Sequence, residues 1–261
     1  MSTTQNARIR ARGEVTAAIK DEARRQLAAE GAARLSLRAV ARELGMVSSA
    51  LYRYFPSRDA LLTALIADAH DSLGEAAEAA QDAVAGEAPL RRWTAVCEAV
   101  RGWGLARPHE YALVHGSPVP GYTAPRSTAP AAARAPLVLI GVVRDAHRQG
   151  ALVSPPLPAG LRAGGGRLAA GLAPDLPPET VVALVAAWAQ LCGLVGFELS
   201  GQFGQFGQFQ QVAEDRAPFF RHAVTGLAAG VGLLRESGRP AGTRALGGAG
   251  AQAGSPARRP T

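Results

Sequence analysis

The sequence predicts an all-α protein built from a small N-terminal three-helix unit and a larger C-terminal helical unit. Three observations lead there. Apolar residues recur at the helical period through most of the chain, no convincing alternating strand follows residue 70, and Gly or Pro punctuates the ends of the periodic segments. With 261 residues the chain has room for a small domain and a second one with a sizeable core.

The elements follow in order. Residues 1–11 are polar and basic, and we expect them to form a flexible arm. Val15, Ile19, Ala23 and Leu27 then mark a helix ending near Gly31. Leu37, Val40, Ala41 and Leu44 give the next apolar stripe, with Ser36 placed to cap its start and Gly45 to end it in the left-handed conformation. Beyond that turn Met46, Ala50, Leu51 and Phe55 can face inward, which leaves Ser48, Ser49, Tyr52 and Arg53 outward. Pro56 stops this helix, and Ser57 can cap a fourth carrying Leu61, Leu62, Leu65 and Ile66. Two short helices broken by a tight turn, the second with hydroxyls and an arginine on its outer side, are how a helix-turn-helix presents a helix to DNA.

The stretch from about Arg12 to His70 resembles the TetR family of bacterial transcriptional repressors. The resemblance rests on Leu37-Arg38-Ala39-Val40-Ala41-Arg42-Glu43-Leu44-Gly45, on Ala50-Leu51-Tyr52-Arg53-Tyr54-Phe55 and on Ser57-Arg58-Asp59-Ala60-Leu61-Leu62. It implies a helix-turn-helix DNA-binding domain over residues 12–71 and a helical ligand-binding and dimerisation domain over 72–235. One departure is Val47, where many members carry a Ser or Thr that caps the recognition helix. Loss of such a cap costs ~1 kcal/mol, so either Ser48 takes over or the helix starts later, and the Val side chain is free to touch a thymine methyl.

In the second unit Leu90, Trp93, Val96, Cys97, Val100 and Trp103 mark a helix ended by Arg107-Pro108. Another runs from Thr128 or Pro136 to Gly150. The segment 154–178 is rich in breakers, and Gly164-Gly165-Gly166 follows no strand and lacks a Gly-Lys-Ser/Thr ending, so it reads as a linker rather than a phosphate loop. Residues 179–200 are apolar nearly all round, which requires burial on more than one side. Asp215 to Leu234 gives a last helix. Between these two lies a threefold Gly-Gln-Phe repeat over 201–209, either an aromatic loop at a ligand entrance or dimer edge, or a lengthened surface loop with one Phe packed down. From Gly238 the chain is mostly Gly, Ala, Pro and Arg with little to bury, and a disordered basic tail over residues 236–261 is expected. Trp103, Pro108-His109-Glu110-Tyr111 and His115-Gly116 are similar to the Trp-His-Gly (WHG) type subgroup of the family. In that resemblance the last two long helices of two subunits form a four-helix dimer interface.

Charge is unevenly placed. The formal net charge is +7, of which residues 1–60 carry +5 and residues 237–261 carry +4, so the middle of the chain is slightly acidic. That distribution suits an N-terminal part that approaches phosphate. Cys97 and Cys192 are isolated, which excludes a disulfide framework and a zinc site and predicts two buried free thiols. Residues 1–15 have no apolar core of a secretory signal, and the apolar run Val181–Phe197 falls short of the ~20 residues of a spanning helix. A cytoplasmic protein with no membrane contact and no cofactor is the expectation.

The residues expected at DNA are Ser36, Arg38, Val47, Ser48, Ser49, Tyr52, Arg53, Tyr54 and Arg58, since Ser, Tyr and Arg donate to phosphate or base edges. Arg58 sits in a first helical turn, where the helix dipole disfavours a cation by ~0.3–1 kcal/mol unless an anion approaches. Trp93, Trp103, His109, Tyr111, His115, Tyr122, Trp188 and Phe197 are the expected walls of a pocket for a small effector. The partners are then double-stranded operator DNA, a second copy of the chain, and a small, largely apolar effector. A dimeric repressor released by that effector is the favoured function. The alternatives are an effector-independent regulator or activator on the same helices, and an enzyme fused to a DNA-binding module. Against the last stands the lack of a paired nucleophile and base, metal-ligand spacing or cofactor loop.

Overall fold

The computed structural model describes residues 3–205 and 216–233, and within them the chain is helical, with one isolated bridge between Leu152 and Leu233. The first unit is α1 (Thr3–Glu30), a 3-10 turn at Ala32–Arg34, α2 (Leu37–Glu43), α3 (Ser48–Leu51) and the start of α4 (Arg58–Ala83). Its local signals act as read. Gly31 and Gly45 take φ of 79° and 64°, Ser36 Oγ accepts from the Ala39 amide at 3.4 Å, and Ser57 Oγ accepts from the Ala60 amide at 3.0 Å. Ile19, Ala23, Leu27, Leu37, Val40, Leu51, Phe55, Leu61, Leu62 and Leu65 are buried together as its core.

Two expected boundaries fall inside helices. The first, between residues 11 and 12, lies within α1. α1 is helical from Thr3, although every residue from Gln5 to Glu14 is exposed. Ala and Arg favour a helix without needing an apolar stripe, so the helix continues where the stripe stops. Second, the division at residues 71/72 falls inside α4, which runs unbroken through both units.

The second unit contains α5 (Pro89–Ala106), α6 (Pro108–His115), α7 (Ala129–Arg148), α8 (Ala159–Leu172), α9 (Pro178–Leu199), α10 (Gln202–Gln205) and α11 (Arg216–Val231). α4 packs against α5 and α7, while α9 packs against α5, α8 and α11. Gly74 permits the closest crossing, because a Cβ there would lie 2.6 Å from Arg134 Cβ. Arg134 spans the same crossing with ion pairs to Asp71 at 2.8 Å and Glu78 at 2.7 Å.

The triple glycine is not a linker but part of α8. Gly165 is buried, and a Cβ on it would come within 3.1 Å of both Leu157 and Val182, so a glycine is the residue that lets α8 settle onto α9. α9 also corrects the sequence estimate. Pro178, Glu179 and Thr180 before the apolar run and Glu198 and Leu199 after it bring the helix to 22 residues, long and apolar enough by composition to cross a membrane. Here it is a packed helix of the second core, with Thr180 and Glu198 buried and Glu198 ion-paired to Arg101. Of the Gly-Gln-Phe repeat, Phe203 is half-buried, edge-on to Phe197 at 5.8 Å and to Phe219 at 5.6 Å. Phe206, Phe209, Asp215 and the basic tail lie outside the described residues.

Candidate nucleic-acid interface and effector site

α3 is short, but helical winding continues past it: the Tyr52 amide donates to the Ser48 carbonyl at 3.1 Å and the Phe55 amide to the Leu51 carbonyl at 3.1 Å. Leu51 and Phe55 point into the core and hold the segment down. Ser48, Ser49, Tyr52 and Arg53 face outward, with Tyr52 43% and Val47 69% exposed. Val47 is itself the N-cap residue, with no side-chain cap, so neither Ser48 nor a later start replaces the missing hydroxyl. Arg38 lies exposed on α2, and Ser36 is half-buried and occupied in capping.

Two residues of the predicted set have other partners. Arg58 Nη2 donates to the Ala32 carbonyl at 2.8 Å and to that of Ala33 at 3.4 Å, so its guanidinium fastens the 3-10 turn to α4. These carbonyl acceptors offset its poor position in the helix dipole. Tyr54 is half-buried with the Arg12 guanidinium 5.3 Å from its ring centroid. Arg12 Nη2 also donates to the Arg53 carbonyl at 3.4 Å, which ties α1 to the end of the recognition segment. Arg12 was missed because its partners are remote in sequence.

The predicted pocket residues divide into three groups. Trp93, Trp103 and Tyr111 are buried with their polar atoms satisfied: Trp93 Nε1 donates to the Val224 carbonyl at 3.0 Å, Trp103 Nε1 to Ser72 Oγ at 3.0 Å, and the Tyr111 hydroxyl to the Cys192 carbonyl at 2.6 Å. Burial pushes the Tyr111 hydroxyl well above its usual range. His109 and Tyr122 have other surroundings. His109 is exposed at a cleft of about 390 Å³ between the end of α1 and α6, and the Tyr122 hydroxyl bonds Thr63 Oγ1 on α4 at 2.9 Å. Phe197 is 50% exposed on the outer face of α9.

What the fold does bring together is a run of rings. Trp103 and Tyr111 centroids are 6.4 Å apart, Tyr111 and His115 5.0 Å, and His115 and Trp188 5.9 Å. His70 of α4 joins them edge-on to His115 at 6.0 Å. Sequence reasoning passed over His70, though its place four residues after Ile66 on the inward stripe of α4 was the available signal. His115 Nε2 is buried with no hydrogen-bond partner among the described residues. Burial, helped by His70, lowers its pKa to about 4, so it is neutral near pH 7. Both thiols stay protonated: burial pushes Cys192 up to about 12 and Cys97 higher still.

Two family models match this chain. Residues 19–65 match the bacterial regulatory proteins of the tetR family, and residues 93–227 match the tetracyclin repressor-like C-terminal domain. An HTH-type transcriptional regulator of Mycobacterium tuberculosis strain H37Rv and one of Mycobacterium bovis are each 38% identical over 210 residues, covering 74% of this chain and 84% of theirs. Among solved structures the regulatory protein SCO4313 is 33% identical with a TM-score of 0.67, covering 84% of this chain and 98% of that one. A tetR-family regulatory protein from Rhodococcus RHA1, 17% identical with a TM-score of 0.56 over 84% of this chain and 98% of its own, shares the fold. Members of this family bind operator DNA, typically as dimers, and are not enzymes. On the matched helix-turn-helix, the matched C-terminal half and the helical architecture that joins them, the chain belongs to the TetR family of DNA-binding transcriptional regulators.

Proposed function

We propose that this regulator is a dimeric repressor that leaves a palindromic operator when a small, largely apolar effector binds among the rings of its second core. The observation that carries the DNA side is the α3 segment, whose inner residues Leu51 and Phe55 are buried while Val47, Ser48, Ser49, Tyr52 and Arg53 stand clear of the protein. We assign base-edge and phosphate contacts to these five and phosphate contact to Arg38, with Tyr54 and Ser36 at the rim. Operator half-sites for such a dimer lie ~34–36 Å apart or a multiple of that. The reading places the protein in the cytoplasm with its DNA.

The second copy would cover the outer faces of α9 and α11. Val185, Ala186, Ala189, Gln190, Gly193 and Phe197 recur along one exposed side of α9, and His222, Gly226, Ala229 and Gly230 along that of α11. Small residues let two helices approach closely, and large apolar ones such as Val185 and Phe197 gain from being covered. On the effector side, the unpartnered His115 Nε2 beside Trp188 and His70 supports one polar contact inside an apolar site. Trp103, His115 and Gly116 also support the Trp-His-Gly assignment. Trp103 and His115 both touch Tyr111, and a Cβ at Gly116 would lie 2.3 Å from the Ala112 carbonyl oxygen.

The test is a gel-shift titration on the DNA upstream of the protein's own gene, with random-sequence competitor and a second salt concentration. Binding that survives competitor and is lost in Tyr52→Ala and Arg53→Ala supports the operator reading. Equal affinity of those variants at matched salt defeats it. Sedimentation of Ala189→Glu addresses the dimer: the reading requires a shift to monomer.

A further inference from the structure

We propose that the N-terminal extension of α1 is a second DNA-backbone contact, in which Arg8 takes a phosphate outside the reach of the recognition helix. Residues 5–14 form a helical segment with every side chain exposed. From Gln5 to Gly13 they carry Arg8, Arg10 and Arg12 and no acid. Neither Arg8 nor Arg10 has an ion pair among the described residues, whereas Lys20 and Arg24 further along the same helix are both spent on Asp68, at 2.7 and 2.8 Å. The extension therefore has free positive charge and no apolar reason to lie against its own protein.

Its position is fixed by Arg12. That side chain donates to the Arg53 carbonyl at 3.4 Å and lies over the Tyr54 ring at 5.3 Å, so the face of α1 bearing Arg12 borders the recognition segment. At helical spacing Arg8 and Gln5 stand on that same face, one and two turns nearer the N-terminus. The rise of ~1.5 Å per residue puts Gln5 about 10 Å beyond Arg12. A basic face that continues the recognition surface outward meets the backbone beside the half-site, whereas Arg10, two residues from Arg8, is turned about 160° away from it. DNA phosphate is the complementary occupant by charge and by continuity with the helix-turn-helix.

Such contacts carry no sequence information but release counterions. Each phosphate given up should make the dependence of log affinity on log salt shallower by about 0.9. The experiment compares the full chain with Arg8→Gln on a random-sequence 30-base-pair duplex and on the DNA upstream of the gene, each across a salt series. Glutamine keeps helix propensity, and far-UV circular dichroism verifies it. The expected result is a slope shallower by about 0.9 per bound protomer on both duplexes, with the ratio of the two affinities unchanged. Tyr52→Ala, by contrast, should change that ratio, so failure of the recognition helix is distinguishable. An unchanged slope overturns the proposal. So does a change confined to the random duplex, which would mean that the extension lies off the DNA in the specific complex.

Discussion

Acid should weaken this protein through His115, and the size of the effect follows from where the ring sits. His115 is packed among Tyr111 of its own helix, His70 of α4 and Trp188 of α9, and its Nε2 has no partner. Burial with His70 alongside lowers its pKa from 6.5 to about 4. His70 is lowered too, by burial, against the pull of Asp71. The unfolded chain therefore binds more protons than the folded one between pH 6.5 and pH 4. Stability is intact above pH 6.5 and falls as pH drops through that window. At 1.36 kcal/mol per unit, His115 alone accounts for a loss of about 3 kcal/mol by pH 4. The perturbation is His115→Leu, close in volume and without a proton to gain. Thermal or urea unfolding from pH 7.5 to 4, at one protomer concentration because dimerisation shifts the midpoint, gives the comparison. The variant should match the wild type at pH 7.5 and keep about 3 kcal/mol more of its stability at pH 4. Parallel pH curves would refute the reasoning, since they would mean that His115 takes up its proton without leaving its buried place.

Four further outcomes follow from particular contacts. Arg101→Ala leaves Glu198 buried without the two bonds it now accepts at 2.6 and 2.7 Å, and urea unfolding should show a loss of about 3 kcal/mol, the low end for a broken buried pair. Replacing both as Arg101→Met/Glu198→Leu should recover most of it. Gly104→Ala places a Cβ 2.9 Å from both Tyr111 and Val195, an overpacking that should cost about 1–3 kcal/mol in the same assay. Val47→Ser supplies the absent cap of α3, and a gain of about 1 kcal/mol should appear as a melting point raised by about 2–4 °C. A double-mutant cycle on Thr63→Val and Tyr122→Phe should give a coupling of about 1 kcal/mol from their hydroxyl bond, whereas additive effects would show that the bond is not made in solution.

The helix-turn-helix was legible because its signals are local. Ser36, Gly45, Pro56 and Ser57 each act within four residues of themselves, and the stripe Leu37, Val40, Ala41 and Leu44 differs from its exposed neighbours in plain composition. What escaped is set by partners distant in the chain. Arg58 reads as a cation awaiting phosphate until the fold places the Ala32 carbonyl, 26 residues earlier, beside it. Trp93, Trp103 and Tyr111 look like pocket walls because aromatic rings with polar atoms line pockets. Val224, Ser72 and Cys192 satisfy those atoms inside the core, so Trp103 and Tyr111 can offer an occupant only their ring faces. α8 was invisible for the opposite reason, since three glycines oppose a helix locally and packing on α9 overrides them.

How an event at the rings could reach the DNA is constrained by α4 and α6. α4 contributes Leu61, Leu62, Leu65 and Ile66 to the first core and Ala69, Leu73 and Ala77 to the second, with His70 just past the change of core. α6 ends at His115, and the chain before and after it sends Leu113, Val114, Val119 and Tyr122 against the first core. The His70–His115 contact therefore joins the two elements that both touch the helix-turn-helix. Any occupant that alters their spacing must shift α4 or α6, and neither can move without repacking residues that support α3. Interiors this dense are bistable rather than elastic. An effector gains leverage on DNA only from its preference for one spacing over the other, and driving the protein from almost wholly bound-competent to almost wholly released takes about 5.5 kcal/mol of that preference. On the proposed effector reading, a single hydrogen bond to His115 Nε2 cannot supply it, and most would come from apolar area buried beside Trp188.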